Sequence, residues 1–529
     1  MAAAGTGVPV LENFIAGKKI AGTGTGSTLV NPSTGDPVAW CSTQGLDLSA
    51  ALDYSRRIGG PALKSLSFAD RAELLWSIAD SLFKGRKLWM EIAQTNAGNT
   101  KTDASIDIDG SIATLRYYSK EGGKLGAATL LTDGPAVRVS RDPKFQAIHI
   151  GTPIPGVAVH INAFNFPAWA LWEKVAISIL SGVPSFVKPA TSTAWLAQAM
   201  AQRVLDANVL PEGALSLLCG SAGDLLDHLR FGDAIVFTGS ADTADVIRQH
   251  ACVRQHGVRL NVEADSLNAA LLAPDAEPGS PAFALFVREV VREMTIKAGQ
   301  KCTAIRRVLV PAAHEAAVAN AVAEELAKVV IGNPANPAVT MGPLASMAQR
   351  RTIEEGIRQL SAAATVHYQA NPLQLADADP ATGAFVGPTL LRAAADAQLV
   401  HDLEVFGPAA TVIPYADADH AFALAHKGCG SLAASVYSAD PHFLATAAAA
   451  LGSSHGRLLL IDPSIGDSHM GHGVVMPSCI HGGPGRAGGG EEMGGLRALW
   501  FYHQRTAIQA SEETLEALKA NLANPAMAE

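Results

Sequence analysis

The clearest pattern along the chain lies between residues 157 and 262, where short apolar runs alternate with stretches of helical period. VAVHI (157–161), SFVKP (185–189), LSLLC (215–219), AIVFT (234–238) and VRLNV (258–262) read as five strands. Helices are expected between them at about 169–181, 193–207, 223–230 and 241–251. The 193–207 segment carries Ala197, Met200, Ala201, Val204 and Leu205 on one face. Strands separated by helices pair in parallel, because parallel neighbours need a crossover. The expectation is a doubly wound sheet whose ligand lies beyond the carboxyl ends of its strands.

The flanks are less regular. Residues 12–20 suggest two short strands about a Gly-Lys turn, and 30–38 (VNPSTGDPV) a turn-rich connection. Residues 47–130 look helical, with Leu74, Leu75, Ile78 and Leu82 at near-3.6 spacing. Residues 136–156 switch to a strand pattern around Asp142-Pro143. A second alternating block spans about 283–460, with strands near 305–310 and 457–461. The Gly-rich stretch 482–495 reads as a loop. ALWFYHQRTAIQA (498–510) reads as a strand, followed by an amphipathic helix with Leu515, Leu518 and Leu522.

Composition narrows the function classes. The 529 residues exceed one domain of roughly 150 residues several-fold, and 48% are hydrophobic, which excludes a disordered chain. The formal net charge is −9, without a long basic run, so neither nucleic acid nor a membrane surface is an expected partner. No apolar stretch approaches the roughly 20 residues that cross a bilayer. The six cysteines are scattered, none at CxxC spacing, which argues against a secreted disulfide framework. The N-terminal stretch lacks a basic region followed by an apolar core. The expected location is the cytoplasm.

Several residues could carry chemistry. Cys302 sits in AGQKCTA (298–304), with Lys301 as a nearby cation that would favour a thiolate; a buried structural thiol is the alternative. Asn165, in NAFNFP directly after the first strand, could donate to an oxyanion or simply serve the turn before Pro167. Glu263 ends the fifth strand and could be a general base or a cap. Lys188 ends the second strand beside Thr191 and Ser192, a set suited to the hydroxyls or phosphate of an adenosine ribose. Gly239 and Ser240, in FTGS (237–240), open a helix and offer N–H groups to phosphate. His469 and His472 are three apart, but Gly471 and Gly473 favour a loop over a metal-binding helix face, and no metal site is expected. Arg486, in the Gly-rich stretch, could line a substrate entrance.

In order, NPSTG, FNFP, KPA, PEG, FTGS, a Glu-bearing strand end, GQKCTA, MGPL, EVFGP and a C-terminal strand resemble the aldehyde dehydrogenase superfamily over nearly the whole chain. The resemblance implies Cys302 as nucleophile, Asn165 as oxyanion donor and Glu263 as general base. It implies Lys188, Thr191 and Ser192 at the adenosine ribose and Phe237, Gly239 and Ser240 at the cofactor floor and pyrophosphate. It places Glu404 at the nicotinamide ribose and Phe164 and Phe406 near the nicotinamide. It also implies an α/β architecture of three parts: a Rossmann-like cofactor domain (1–135 and 157–264), a catalytic domain (265–497) and a small β oligomerisation element (136–156 and 498–510), with a C-terminal helix over 511–529. A homodimer is expected, with a tetramer as the alternative.

Two departures from the family pattern stand out. Glu263 is followed by Ala264-Asp265-Ser266 where glycines are common. The residue three after Lys188 is Thr191, where users of NAD often carry Glu. A carboxylate would repel a 2′-phosphate and a hydroxyl would not, so NADP is expected in preference to NAD. VEADSLN (262–268) and the tail over 481–509 are similar to semialdehyde dehydrogenases of aromatic-acid breakdown, which take CoA thioesters. The absence of a fused hydratase domain favours the benzoyl-CoA branch, whose substrate is 3,4-dehydroadipyl-CoA semialdehyde, over the phenylacetate branch. A CoA-acylating reaction and a non-catalytic binding protein are the competing readings.

Overall fold

The computed structural model describes residues 7–370 and 373–528. The first six residues of the N-terminal stretch and Glu529 of the C-terminal segment therefore lie outside the described residues. Two seven-stranded sheets dominate. In the first, the spatial order is Arg259–Glu263, Ala234–Thr238, Ala158–Ile161, Ser185–Lys188, Leu215–Leu217, then the hairpin Asn13–Ile15 and Lys18–Ile20. The first five strands are parallel; the hairpin adds antiparallel at the Leu217–Phe14 pair. These strands are buried on both faces, which explains their near-continuous apolar runs.

The parallel part of this sheet starts in its middle at Ala158–Ile161, runs outward through two strands, then returns to Ala234–Thr238 on the other side. The reversal opens a crevice at the carboxyl ends of Ala158–Ile161 and Ala234–Thr238. Helices Phe68–Lys84 and Lys101–Gly123 pack with Trp169–Leu180 against the sheet, sharing one apolar core that includes Leu75, Ile108 and Trp172. Ser67 and Thr100 start the first two with reciprocal capping boxes to Asp70 and Asp103.

The second sheet has the order Thr365–Gln369, Thr389–Arg392, Ala409–Tyr415, Arg307–Pro311, Ala269–Leu272, Ser431–Tyr437 and His455–Ile461, parallel except for the first strand. A smaller sheet pairs His503–Ser511 with Phe145–Pro153 over nine residues. Leu130–Thr132, which precedes the 136–156 segment, also joins it.

Three expectations need correction. Residues 498–502 are not strand but belong to a 3₁₀ helix, Gly495–Tyr502. Leu496, Leu499 and Tyr502 recur every three residues and are buried, which is the period of that helix. Leu522 lies beyond the C-terminal helix Glu512–Lys519, in a short strand against Leu130. The 223–230 helix is only a 3₁₀ turn, Leu225–His228, because Gly220 and Gly223 both adopt positive φ just before it. No helix among the described residues is long and apolar enough to cross a membrane.

Candidate active site

A single cavity at the crevice is lined by Asn165, Glu263, Cys302 and His481, with Phe166 and Trp169 among its apolar walls. Cys302 reaches it from a loop built under constraint. Lys297, Ala298 and Gly299 adopt three successive positive φ angles of 55°, 51° and 69°. A side chain at Gly299 would meet the Gly407 carbonyl oxygen at 2.2 Å, so only glycine lets this loop close on the EVFGP segment. Arg306 ties the two together, donating to the carbonyls of Gly407 (2.8 Å), Gly299 (2.9 Å) and Lys301 (3.2 Å). The Asn268 amide donates to the Cys302 carbonyl at 2.8 Å. The Cys302 sulfur is therefore carried on a fixed backbone.

Lys301 acts as the expected cation, its charge drawing the Cys302 thiol down, but its ammonium is also paired with Glu293 at 2.6 Å and burial outweighs its effect. The group beside the sulfur is His481, whose Nε2 lies 3.8 Å from Sγ. The same Nε2 lies 3.1 Å from Glu263 Oε2. Burial and then the Glu263 charge push the Cys302 thiol well above its ordinary range. Burial by itself would raise the Glu263 carboxyl; the neighbouring imidazolium and the Lys174 ammonium outweigh it and hold the group down at about 2.

Asn165 is buried, and its amide donates to the Gln300 carbonyl at 3.1 Å, which aims it along the Cys302 loop. Behind Glu263 lies a buried charge set. Lys174 Nζ stands 2.9 Å from Glu173 and 3.0 Å from Glu492. Two carboxylates on one ammonium leave an excess negative charge, and burial raises the Glu492 carboxyl to about 7.

In the Ala264-Asp265-Ser266 departure the two polar side chains are both engaged, Ser266 Oγ donating to Asn268 Oδ1 (2.7 Å) and accepting from Leu432 N–H (2.9 Å). Ala264 N–H donates to the Ala487 carbonyl (3.0 Å), Asp265 accepts from Ala241 N–H at a helix start (3.0 Å), and Ser266 N–H donates to Glu404 (3.1 Å). The Gly-rich stretch packs on this strand: a side chain at Gly488 or Gly490 would meet the Val262 carbonyl oxygen at 2.3 or 2.4 Å. Arg486 does not line the cavity; it donates to the carbonyls of His401 and Asp402.

The remaining sequence candidates gather on the other side of the crevice. Gly239 lies over the Phe237 ring, where a Cβ would come within 2.5 Å of Cζ, leaving bare backbone above an aromatic floor. Ser240 caps the helix Ala241–Gln249. Phe164 and Phe406 meet edge to face, 5.9 Å between centroids. The Glu404 side chain is largely covered, 8% exposed, and this desolvation raises its carboxyl to about 7. Lys188 is lowered by burial, near Cys41 and Cys219. The Thr191 hydroxyl donates to the Gly220 carbonyl (3.0 Å), and the Ser192 carbonyl accepts from Asn96 (2.9 Å). Bare backbone at a helix start, a cation at the end of a strand two places along the sheet and a carboxyl group in the same crevice fit a dinucleotide.

His481, Glu173, Lys174 and Glu492 are absent from the sequence-based set. Glu173 and Lys174 leave a signal, as adjacent charges in the otherwise apolar helix Trp169–Leu180. His481 and Glu492 leave little, since their strands, Ile480–Gly482 and Glu491–Met493, are three residues each.

A doubly wound sheet whose strand ends face a thiol, a carboxylate and an amide defines an α/β enzyme equipped for covalent catalysis at a cysteine. The sequence matches the aldehyde dehydrogenase family over residues 20–504, and the chain belongs to that family. It is 49% identical to the 3,4-dehydroadipyl-CoA semialdehyde dehydrogenase of Aromatoleum evansii, over 90% of this chain and 93% of that protein. Its fold matches lactaldehyde dehydrogenase from Escherichia coli (TM-score 0.82, 21% identity, 95% of this chain and 99% of that one). It also matches an NAD⁺ complex of aldehyde dehydrogenase from Bacillus cereus (TM-score 0.81, 21% identity, 95% and 96% covered).

Proposed function

We propose that this aldehyde dehydrogenase oxidises a CoA-linked semialdehyde, 3,4-dehydroadipyl-CoA semialdehyde in benzoate breakdown, to the acid with NADP. The observation that carries the chemistry is the convergence of Cys302, Glu263 and Asn165 on one cavity. The 49% identity to the Aromatoleum enzyme supports the substrate class.

In this reading Cys302 Sγ, once deprotonated, bonds to the aldehyde carbon. The carbonyl oxygen becomes an oxyanion held by the Asn165 amide and the Cys302 N–H. Phe164 and Phe406 would flank a bound nicotinamide, which would accept the hydride that leaves the aldehyde carbon as the oxyanion re-forms its carbonyl. The thioester left on Sγ is attacked by water, whose proton goes to Glu263. The C–S bond breaks, and the sulfur leaves as thiolate with release of the acid. The test is a panel of free and CoA-linked aldehydes with each cofactor and without free CoA. Preference for the CoA-linked semialdehyde and acid formation without CoA are expected. Equal rates on simple free aldehydes would defeat the substrate assignment, and a requirement for free CoA would defeat hydrolysis.

Thr191 supports the cofactor choice, because a hydroxyl bonded to Gly220 leaves no carboxylate at that position. Thr191→Glu is expected to raise the KM for NADP roughly tenfold or more while sparing NAD, through repulsion of the 2′-phosphate. Unchanged KM for both cofactors would remove Thr191 from the discrimination.

The assembly we infer is a homodimer. His503–Ser511 is the outer strand of its sheet and is exposed along most of its nine residues. Ala507→Pro would break its outward ladder, and sedimentation should then show monomer. A variant that sediments as wild type would place the interface elsewhere. Six unpaired cysteines, three of them buried, support a reducing, cytoplasmic setting.

A further inference from the structure

His481 stands between the two reacting groups of the site. One nitrogen, Nε2, lies 3.1 Å from the Glu263 carboxylate and 3.8 Å from the Cys302 sulfur. The donor atoms of all three residues lie within 4.8 Å of one another. We propose that His481 is a catalytic counter-charge: its imidazolium stays with the negative charge as that charge moves between Glu263 and Cys302. This inference rests on the assignment of Cys302 as nucleophile and Glu263 as base.

The charge count supports it. At rest the set is thiol, carboxylate and imidazolium. Moving one proton from Sγ to a Glu263 oxygen gives thiolate, carboxylic acid and imidazolium. The S–H bond breaks, an O–H bond forms, and the net charge of the buried set is unchanged. Without His481 the same transfer would leave a thiolate with no adjacent cation, which is costly at low dielectric.

The other cations nearby are already engaged. On the helix Trp169–Leu180, Lys174 is shared by Glu173 and Glu492. Lys301 is held by Glu293. The Arg306 and Arg457 guanidiniums donate to backbone carbonyls of the Cys302 loop, Gly407 and His472. The groups that act on His481 itself are Glu263, Glu173 and Glu492, all carboxyls, in addition to the Cys302 thiol. Burial would lower its pKa, and these carboxyls, Glu263 foremost, raise it instead.

The Gly-rich stretch brings this histidine into place. Ile480–Gly482 pairs with Glu491–Met493, setting His481 opposite Glu492. Gly482 adopts φ 142°, and a side chain there would meet the Gly490 carbonyl oxygen at 2.0 Å. The hairpin can thus lie flat along the strand that ends in Glu263.

The test measures how fast iodoacetamide alkylates Cys302 across pH, with the Cys302→Ser protein correcting for the exposed thiols of Cys429 and Cys479. His481→Gln is expected to slow alkylation at neutral pH roughly tenfold and to move its alkaline midpoint up by about one unit. The first-turnover burst of reduced cofactor should slow in proportion. His481→Asn, read the same way, serves if the glutamine variant does not fold. An unchanged midpoint in a folded variant overturns the role of His481 alone. Full turnover by Cys302→Ser would instead overturn the underlying assignment.

Discussion

Replacing Cys302 with Ser is expected to lower kcat/KM for the aldehyde by roughly 10³-fold or more, with cofactor affinity and Tm near wild type. The reason lies in the nucleophile and not in the scaffold. The loop is held by Asn268, by Arg306 and by the Gly299–Gly407 approach, none of which uses the sulfur. Serine fits the same space, so the variant isolates chemistry from folding. A serine hydroxyl ionises far less readily than a thiol, and burial together with the Glu263 charge already opposes the anion here. Steady-state rates and dye-monitored unfolding, measured on the same preparation, check both halves. Retained turnover would remove Cys302 from the reaction, and a large drop in Tm would mean that the loss reported on structure.

Much of this site was legible from short motifs because each marks the end of a strand. Phe164 and Asn165 follow Ala158–Ile161, Lys188 ends Ser185–Lys188, Gly239 follows Ala234–Thr238, and Glu263 ends Arg259–Glu263. In a parallel sheet these ends lie on one edge, so local reading places them together without knowledge of any long-range contact. His481 was not legible for the opposite reason. It reaches Cys302 across 179 positions of sequence, from a three-residue strand without periodicity. Glycines 482, 488 and 490 look like a loop by composition, yet their lack of side chains is what lets the hairpin pack on Val262. The same limit applies to 498–502, where aromatic residues suggested strand but the three-residue spacing of buried positions produced a 3₁₀ helix.

Asp265 and Ser266 carry a related lesson. They stand where glycines are common in the family pattern. In the fold, Asp265 holds the start of the Ala241–Gln249 helix and Ser266 fixes Glu404. A polar side chain and a backbone N–H thus supply an ordered contact between the two halves of the site. Substrate choice was the least legible property, because the cavity wall draws on segments as distant as Ile106, Trp169, Ile296 and Val475.

Glu263→Gln separates the two halves of the proposed reaction. The amide cannot accept a proton from water, so thioester hydrolysis is expected to fall by roughly 10²-fold or more. Thiol ionisation moves the other way. The Glu263 charge is one of the forces raising the Cys302 thiol, so its removal should shift the alkylation midpoint to lower pH. The sign follows from like charges: with no carboxylate beside it, the sulfur anion forms at less cost. Rapid mixing above that midpoint, where the Cys302 proton goes to solvent instead of Glu263, should therefore show about one reduced cofactor per active site, then a stall. Mass spectrometry of the stalled protein should find the acyl group on the peptide that contains Cys302. Loss of the burst together with the steady state would show that Glu263 is needed before hydride transfer. Unchanged steady-state turnover would mean that another group activates water, and the buried carboxyls that share Lys174, Glu173 and Glu492, would then be the residues to substitute.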